Sequence, residues 1–306
     1  MKATKPQPQK LILPPQHLAL GSIALGLAVF ALKLAAWRIS FSAALYSDAL
    51  ESLVNVTAAL LLYYALHTAI KPADREHPYG HGKAELFSAV AEGAMIVLAA
   101  ILIFERVGAG LEHPTLPAQP ILALGLNAVG GGMNALFAFW LRRIGAAARY
   151  PAIAADAAHL DADAMTTLGI LIGLGVAIIF KIPILDPLIA AAVACQIAFV
   201  GAQTIRRSLS ALLDKAPPPE VVARMQELVR AEGAGAIEAH DLRMREAGMS
   251  KFLEFHLVVP GAMSVASAHV ICDRIEDALK AEMPGVIITI HVEPEAKAKR
   301  EGVLMA

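Results

Sequence analysis

Six apolar stretches, near 16–37, 42–66, 86–108, 118–140, 152–180 and 182–205, are each long enough to cross a hydrocarbon layer, which takes about 20 residues of helix. No other feature of these 306 residues constrains the fold as much. A backbone in lipid must bond to itself, so the segments are predicted to be helices rather than open strands. Charge follows the same division. Of 53 charged residues, 25 fall in the last 92 positions, which therefore read as an ordinary water-solvated domain. A wholly soluble enzyme is excluded, and the fold class is an α-helical membrane protein: six transmembrane helices, then a small cytoplasmic α+β domain. The divisions are 1–15, a cytoplasmic tail; 16–214, the membrane domain; 215–296, the cytoplasmic domain; and 297–306, a C-terminal tail.

Orientation comes from the basic residues of the connections. Lys2, Lys5, Lys10, Lys71, Arg75, Lys83, Arg142, Arg143, Arg149, Arg206, Arg207 and Lys215 fall on one side, against Arg38, Arg106 and Lys181 on the other. Both termini are thus expected in the cytoplasm, and Lys33 lies inside the first span. A net charge of −1 gives nucleic acid no footprint as a partner. Cys195 and Cys272 form neither a disulfide framework nor a CxxC pattern and read as buried thiols.

Ionisable residues inside a span are costly and face a partner or a water-filled cavity. The second span holds Asp48, Glu51 and Asn55, and the fifth holds Asp156, His159, Asp161 and Asp163. Glu51 with Asn55, and His159 with Asp163, are each four apart and share a helix face. If the two helices touch, one imidazole and three oxygen-bearing groups converge, a set suited to a four-coordinate divalent metal. A hydrogen-bonded glue between helices and a metal-free proton relay are the other two readings. Asp48 and Asp156 continue the two faces by one turn, with their roles open: accessory groups on a cation path, or solvated ones. Asp161 points away from His159 and reads as structural.

The loop after the second span runs Pro72-Ala73-Asp74-Arg75-Glu76-His77-Pro78-Tyr79-Gly80-His81-Gly82-Lys83. Asp74, His77 and His81 could close on one ion there, with Gly80 and Gly82 allowing the turn; a surface histidine-rich loop is the alternative. In the back domain, Pro217–Pro219 open a helix to about 232, and strands are predicted at 237–245 and 252–259. A helix from an N-cap at Ser264 and a strand at 286–292 follow, giving the order αββαβ. Alternation places His240, Leu242 and Met244 on one face of the first strand. His240, His256, His269 and His291, with Glu293, form a candidate metal group or a set of unrelated half-exposed histidines.

Together these residues resemble the cation diffusion facilitator family, including its bacterial ferrous-iron and zinc efflux members. The resemblance rests on the Pro72–Glu85 loop, on Ser47-Asp48-Ala49 with Ser52-Leu53, on His159-x-x-x-Asp163, on Leu212-Leu213-Asp214, on Ala239–Arg243 and on Ala268-His269-Val270. It implies a homodimeric, multi-pass protein of the cell (inner) membrane, not an enzyme, with a metallochaperone-like dimerisation domain. Such a protein exports Zn2+, Fe2+, Mn2+, Co2+ or Cd2+ in exchange for protons and needs no catalytic cofactor; its partners are metal ions, protons, membrane lipid and a second copy of itself. The transport site would be Glu51, Asn55, His159 and Asp163; the loop site Asp74, His77 and His81; the cytoplasmic sites His240, His256, His269, His291 and Glu293. Lys83 and Asp214 match a charge pair that helps hold the dimer together. Glu51 and Asn55 replace the family's usual His or Asp and Asp. That removes a titratable charge and tilts the ligand set toward harder ions such as Mn2+ or Fe2+, although the histidine still suits zinc. A membrane-bound metal sensor or scaffold without transport is the alternative function.

Overall fold

The computed structural model describes residues 15–148, 151–248, 250–299 and 302–304, with the side chains of 15–20, 144–156 and 304 outside the description. Lys2, Lys5, Lys10, Arg149 and the side chain of Asp156 therefore lie outside it. The chain forms two compact units, residues 1–64 with 88–205, and residues 65–87 with 206–306.

Six long helices dominate the sequence up to residue 212: α1 (Pro15–Ser40), α2 (Ala43–Ala69), α3 (Ala84–Glu112), α4 (Pro120–Ala148), α5 (Pro151–Ile179) and α6 (Leu185–Leu212). Proline opens α1, α4 and α5, where its missing N–H costs nothing. Each helix contains an apolar segment of 20 to 29 residues, which spans about 30 Å or more at 1.5 Å per residue. Side-chain size is sorted as lipid exposure demands. Small residues such as Ala36, Ala99, Ala100, Ala190 and Ala194 face inward with Leu45, Ile103 and Leu174, while Ile121, Leu136, Ile172 and Phe199 face out. A Cβ on Gly93 would lie 2.9 Å from the Gly201 carbonyl oxygen, so α3 and α6 meet backbone to backbone. At the non-cytoplasmic end expected from the charge bias, Asp186 accepts the Ser42 hydroxyl and the Ala43 and Ala44 amides. The start of the sixth helix thereby caps the start of the second. Cys272 is buried, but Cys195 is exposed on α6, contrary to the expectation of two buried thiols.

The second unit carries α7 (Pro219–Glu232), β1 (Glu238–Ala247), β2 (Ser250–Val259), α8 (Val265–Glu282), β3 (Val286–Pro294), a 3-10 turn (Glu295–Lys297) and β4 (Val303–Leu304). Ser264 accepts the Ser267 amide and caps α8 as predicted. The sheet order is β3-β2-β1-β4, with β2 and β3 parallel and the other pairs antiparallel. Leu253, Phe255 and Leu257 on one sheet face pack against Met225, Val229, Ile271, Ile275 and Leu279 of the helices. Two features depart from the sequence expectation. The 297–306 segment supplies β4, which pairs with Glu238 and Ala239. The register also slips between His240 and Arg243, where Asp241 takes φ 54°. This β-bulge inserts one residue and reverses the alternation. Ala239, Leu242 and Met244 face the helices, so His240 lies on the opposite face rather than beside Leu242 and Met244.

Candidate metal centres

Within the first unit, Asn55 Nδ2 donates to Asp163 Oδ2 at 2.8 Å, tying α2 to α5. Asn55, His159 and Asp163 line one cavity of about 70 Å³, together with Ser52 and with Asn134 of α4. That volume accommodates a cation with some of its water, since one water needs roughly 10–15 Å³. Asp163 is buried and His159 is the exposed member. Glu51, one turn from Asn55, has a buried Oε2 with no hydrogen-bond partner. An orphaned carboxylate oxygen in a low-dielectric interior is an acceptor waiting for a cation or a proton. The structure thus brings Asn55, His159 and Asp163 to one cavity, with Glu51 beside them on the same helix face.

Asp48 is not a solvated group. It is 1% exposed, accepts from Lys33 Nζ at 2.7 Å, and lies 3.2 Å from Thr167 Oγ1. α1, α2 and α5 are joined through one fully buried ion pair. The signal in the sequence was Lys33 itself, a lysine in the middle of a span; nothing there named its partner. Asp161 pairs with Arg142 on the adjacent helix, in keeping with a structural role.

In the second unit, the α2–α3 loop folds around Asp74. Its Oδ1 accepts the amides of Glu76 and His77, and the His77 and His81 rings lie 3.4 and 3.5 Å from its two oxygens. The His77 amide, followed by that of Glu76 and the neighbouring imidazoles, holds the carboxyl below its ordinary range. Gly80 adopts φ 81°. Lys83 donates to Asp214 at 2.9 Å and to the Leu212 carbonyl at 3.3 Å. Arg245 lies 3.7 Å from Asp214 and stacks over the Tyr79 and Phe252 rings. The charge pair is partly exposed, worth about 0.2–1 kcal/mol by itself.

On the open sheet face three histidines stand in one row. His240 pairs with His256 across β1 and β2, and His256 with His291 across β2 and β3. Their ring centroids are 5.2 and 5.0 Å apart. Glu293, two residues along β3, reaches all three: 3.3 Å to His240 Nε2, 3.4 Å to His256 Nδ1 and 3.7 Å to His291 Nε2. His240 Nε2 and His256 Nδ1 are buried atoms without a hydrogen bond. Buried imidazole nitrogens aimed at a shared carboxylate, with their bonds unmade, suit a divalent cation. His269 is not part of this row. It sits on α8, 72% exposed and 3.6 Å from Asp273. Sequence reasoning missed Glu238, whose Oε1 lies 2.9 Å from His240 Nδ1. Among the described residues, the groups whose ligand atoms lie within 4.8 Å of one another are Asp74, His77 and His81, and His240, His256 and Glu293.

Comparison with known proteins follows the same division of the chain. Residues 19–213 match the cation efflux transmembrane domain, and residues 217–295 match the cytoplasmic domain of cation efflux proteins. The uncharacterized transporter sll1263 of Synechocystis is 36% identical over 273 residues, covering 89% of this chain and 88% of its own length. The cation-efflux pump FieF of Salmonella paratyphi A is 28% identical over 286 residues, covering 93% of this chain and 94% of its own. A solved chain of CzrB, in its Zn form, is 49% identical, covers 28% of this chain and 99% of that one, and has a TM-score of 0.27.

Proposed function

The chain belongs to the cation efflux, or cation diffusion facilitator, family, and on that premise we propose that this multi-pass membrane transporter exports divalent transition-metal ions from the cytoplasm in exchange for protons, as a homodimer in the cell membrane with both termini cytoplasmic. One observation supports the reading most: a cavity among the helices lined by Asn55, His159 and Asp163, with the unpaired Glu51 oxygen beside it. Substrate ions are of the Zn2+, Fe2+, Mn2+, Co2+ and Cd2+ class, because the donor set combines nitrogen and oxygen without thiolate.

Coupling follows from the ligands. Glu51, His159 and Asp163 bind a cation only when deprotonated, so loading the site releases protons and unloading takes them up. Asn55 has no proton to exchange; bonded through Nδ2 to Asp163, it keeps Oδ1 to offer a cation. It orients the carboxylate and adds a neutral oxygen. The Asp74, His77 and His81 loop and the histidine row are binding sites for the same class of ion, and filling the row favours the transport-competent dimer.

Purified protein in proteoliposomes, given each of the five ions under an imposed pH gradient, tests this directly. Flux that rises with the gradient, and falls by at least tenfold in Asp163→Ala, is the expected result. Binding without flux for every ion would leave a membrane-bound sensor or scaffold instead. Undiminished flux in Asp163→Ala would remove the cavity from the path.

A further inference from the structure

The matched cytoplasmic domain ends at residue 295, but the chain turns back onto its own sheet beyond that point. Four contacts fix the returning segment. Val303 and Leu304 pair with Ala239 and Glu238. A Cβ on Gly302 would fall 2.4 Å from the Ala239 carbonyl oxygen, so the segment lies flush on β1. The Lys299 amide donates to Glu238 Oε1 at 2.8 Å, and Lys299 Nζ donates to Asp241 Oδ2 at 2.7 Å.

Glu238 therefore sits between the returning segment and the histidine row. Its side chain is 1% exposed, and the same Oε1 that accepts the Lys299 amide faces His240 Nδ1 at 2.9 Å. With Glu238 accepting as a carboxylate, Nδ1 would carry the proton. Nε2 is then left with its lone pair, facing Glu293 at 3.3 Å in a side chain that is 4% exposed and has no hydrogen bond at that atom. A carboxylate behind a ligating histidine fixes its tautomer, its ring orientation and its basicity.

We propose that Glu238 is a positioning residue that presents His240 Nε2 to a divalent cation, and that the backbone of the returning segment, through the Lys299 amide, holds Glu238 in place. The C-terminal segment is then a working part of the cytoplasmic metal site rather than a tail. The inference rests on reading the histidine row as a metal site, and the test separates the two.

The full-length protein in detergent is used, with Asp163→Asn, His77→Ala and His81→Ala introduced so that Co2+ reports the cytoplasmic site. Two readouts are taken: Co2+ affinity with its visible spectrum, and the 15N shifts of labelled histidines without metal. In the parent, His240 is expected as the Nδ1–H tautomer. Glu238→Gln, which keeps shape and burial, is expected to lose that preference and to weaken Co2+ binding by about 10–100-fold. Lys299→Pro, which lacks the amide donor, and Gly302→Val, which unseats the segment, are expected to weaken it in the same direction. Lys299→Met keeps the amide and is expected to weaken it far less than Lys299→Pro does. A parent that binds no Co2+ overturns the metal reading of the row. Parent-like binding or an unchanged tautomer in Glu238→Gln overturns the positioning role alone. A loss in Lys299→Met equal to that in Lys299→Pro assigns the effect to the ammonium and overturns the backbone link.

Discussion

Lys33 and Asp48 show what one buried charge requires of its surroundings. Neither is more than 1% exposed, and the 2.7 Å contact between them crosses from α1 to α2. Separating two such charges from water is expensive, and removing one partner leaves the other uncompensated, at a cost of about 3–5 kcal/mol. Lys33→Met should therefore destabilise the membrane unit by that amount, read as a lowered unfolding midpoint in detergent. Lys33→Met combined with Asp48→Leu should recover most of it, because an apolar pair of similar volume is close to neutral. A single variant as stable as the parent would show that the pair is not the clamp its burial indicates. Asp48 also illustrates the limit of reading in one dimension. Its spacing from Glu51 predicted a shared helix face, but the residue that settles its state lies 15 positions earlier on another helix. The Asp74 loop is the opposite case. Asp74, His77 and His81 fall within eight positions, and the turn that gathers them is encoded by Gly80 at φ 81°, so the whole cluster was legible.

At the scale of elements, the six helices were legible because length and apolarity are sufficient conditions in lipid. The sheet was less so. From Ile237 to Arg245 the apolar letters change phase across His240-Asp241, from odd positions (Ile237, Ala239) to even ones (Leu242, Met244); reading the run as a single alternation assigned His240 to the wrong face. β4 was invisible for a different reason: two residues after a charged stretch carry no periodicity to detect. Its attachment is partly electrostatic. The Lys299 ammonium holds the Asp241 carboxyl below the usual carboxylate range, so the contact's contribution is complete above that range and is lost as pH falls through the lowered value. The returning segment should accordingly loosen only in acid, below about pH 4. Amide exchange at Val303 and Ala239, followed down a pH series and corrected for intrinsic rates, should accelerate there; Lys299→Met should remove the step. The hairpin between β1 and β2 makes a second, purely steric demand. A Cβ on Gly82 would lie 2.2 Å from the Ala247 carbonyl oxygen, and one on Gly248 2.5 Å from that of Gly82. Gly82→Ala should cost about 1–3 kcal/mol through the forced backbone shift. Protease nicking of the α2–α3 loop should rise in proportion; resistance equal to the parent's would refute the close contact.

For the whole molecule, the ligand-type residues divide between a membrane cavity, a loop and a sheet face, and transport has to be separated from its regulation. His240→Ala with His291→Ala empties two positions of the row while leaving the Asn55 and Asp163 hydrogen bond untouched. Flux at limiting metal should fall several-fold in that double variant, and the loss should shrink as metal is raised; equal flux at all concentrations would exclude a regulatory role for the row. Assembly is tested by sizing the purified protein with and without chelator, where a dimer that weakens on chelation is expected.

The α2–α3 loop belongs to the same compact unit as the C-terminal sheet, although Gly82 and Ala247 are separated by more than half the chain. A ribosome elongating at about 5–20 residues per second makes the loop some 8–30 s before its partner hairpin. For that interval four further helices are inserted while the loop, complete with its Asp74 turn, waits without the surface it packs on. Synthesis therefore closes this protein from its last residues back to its second helix. A C-terminal truncation is expected to be harmful early in the life of the chain, by leaving an already inserted loop exposed to proteolysis.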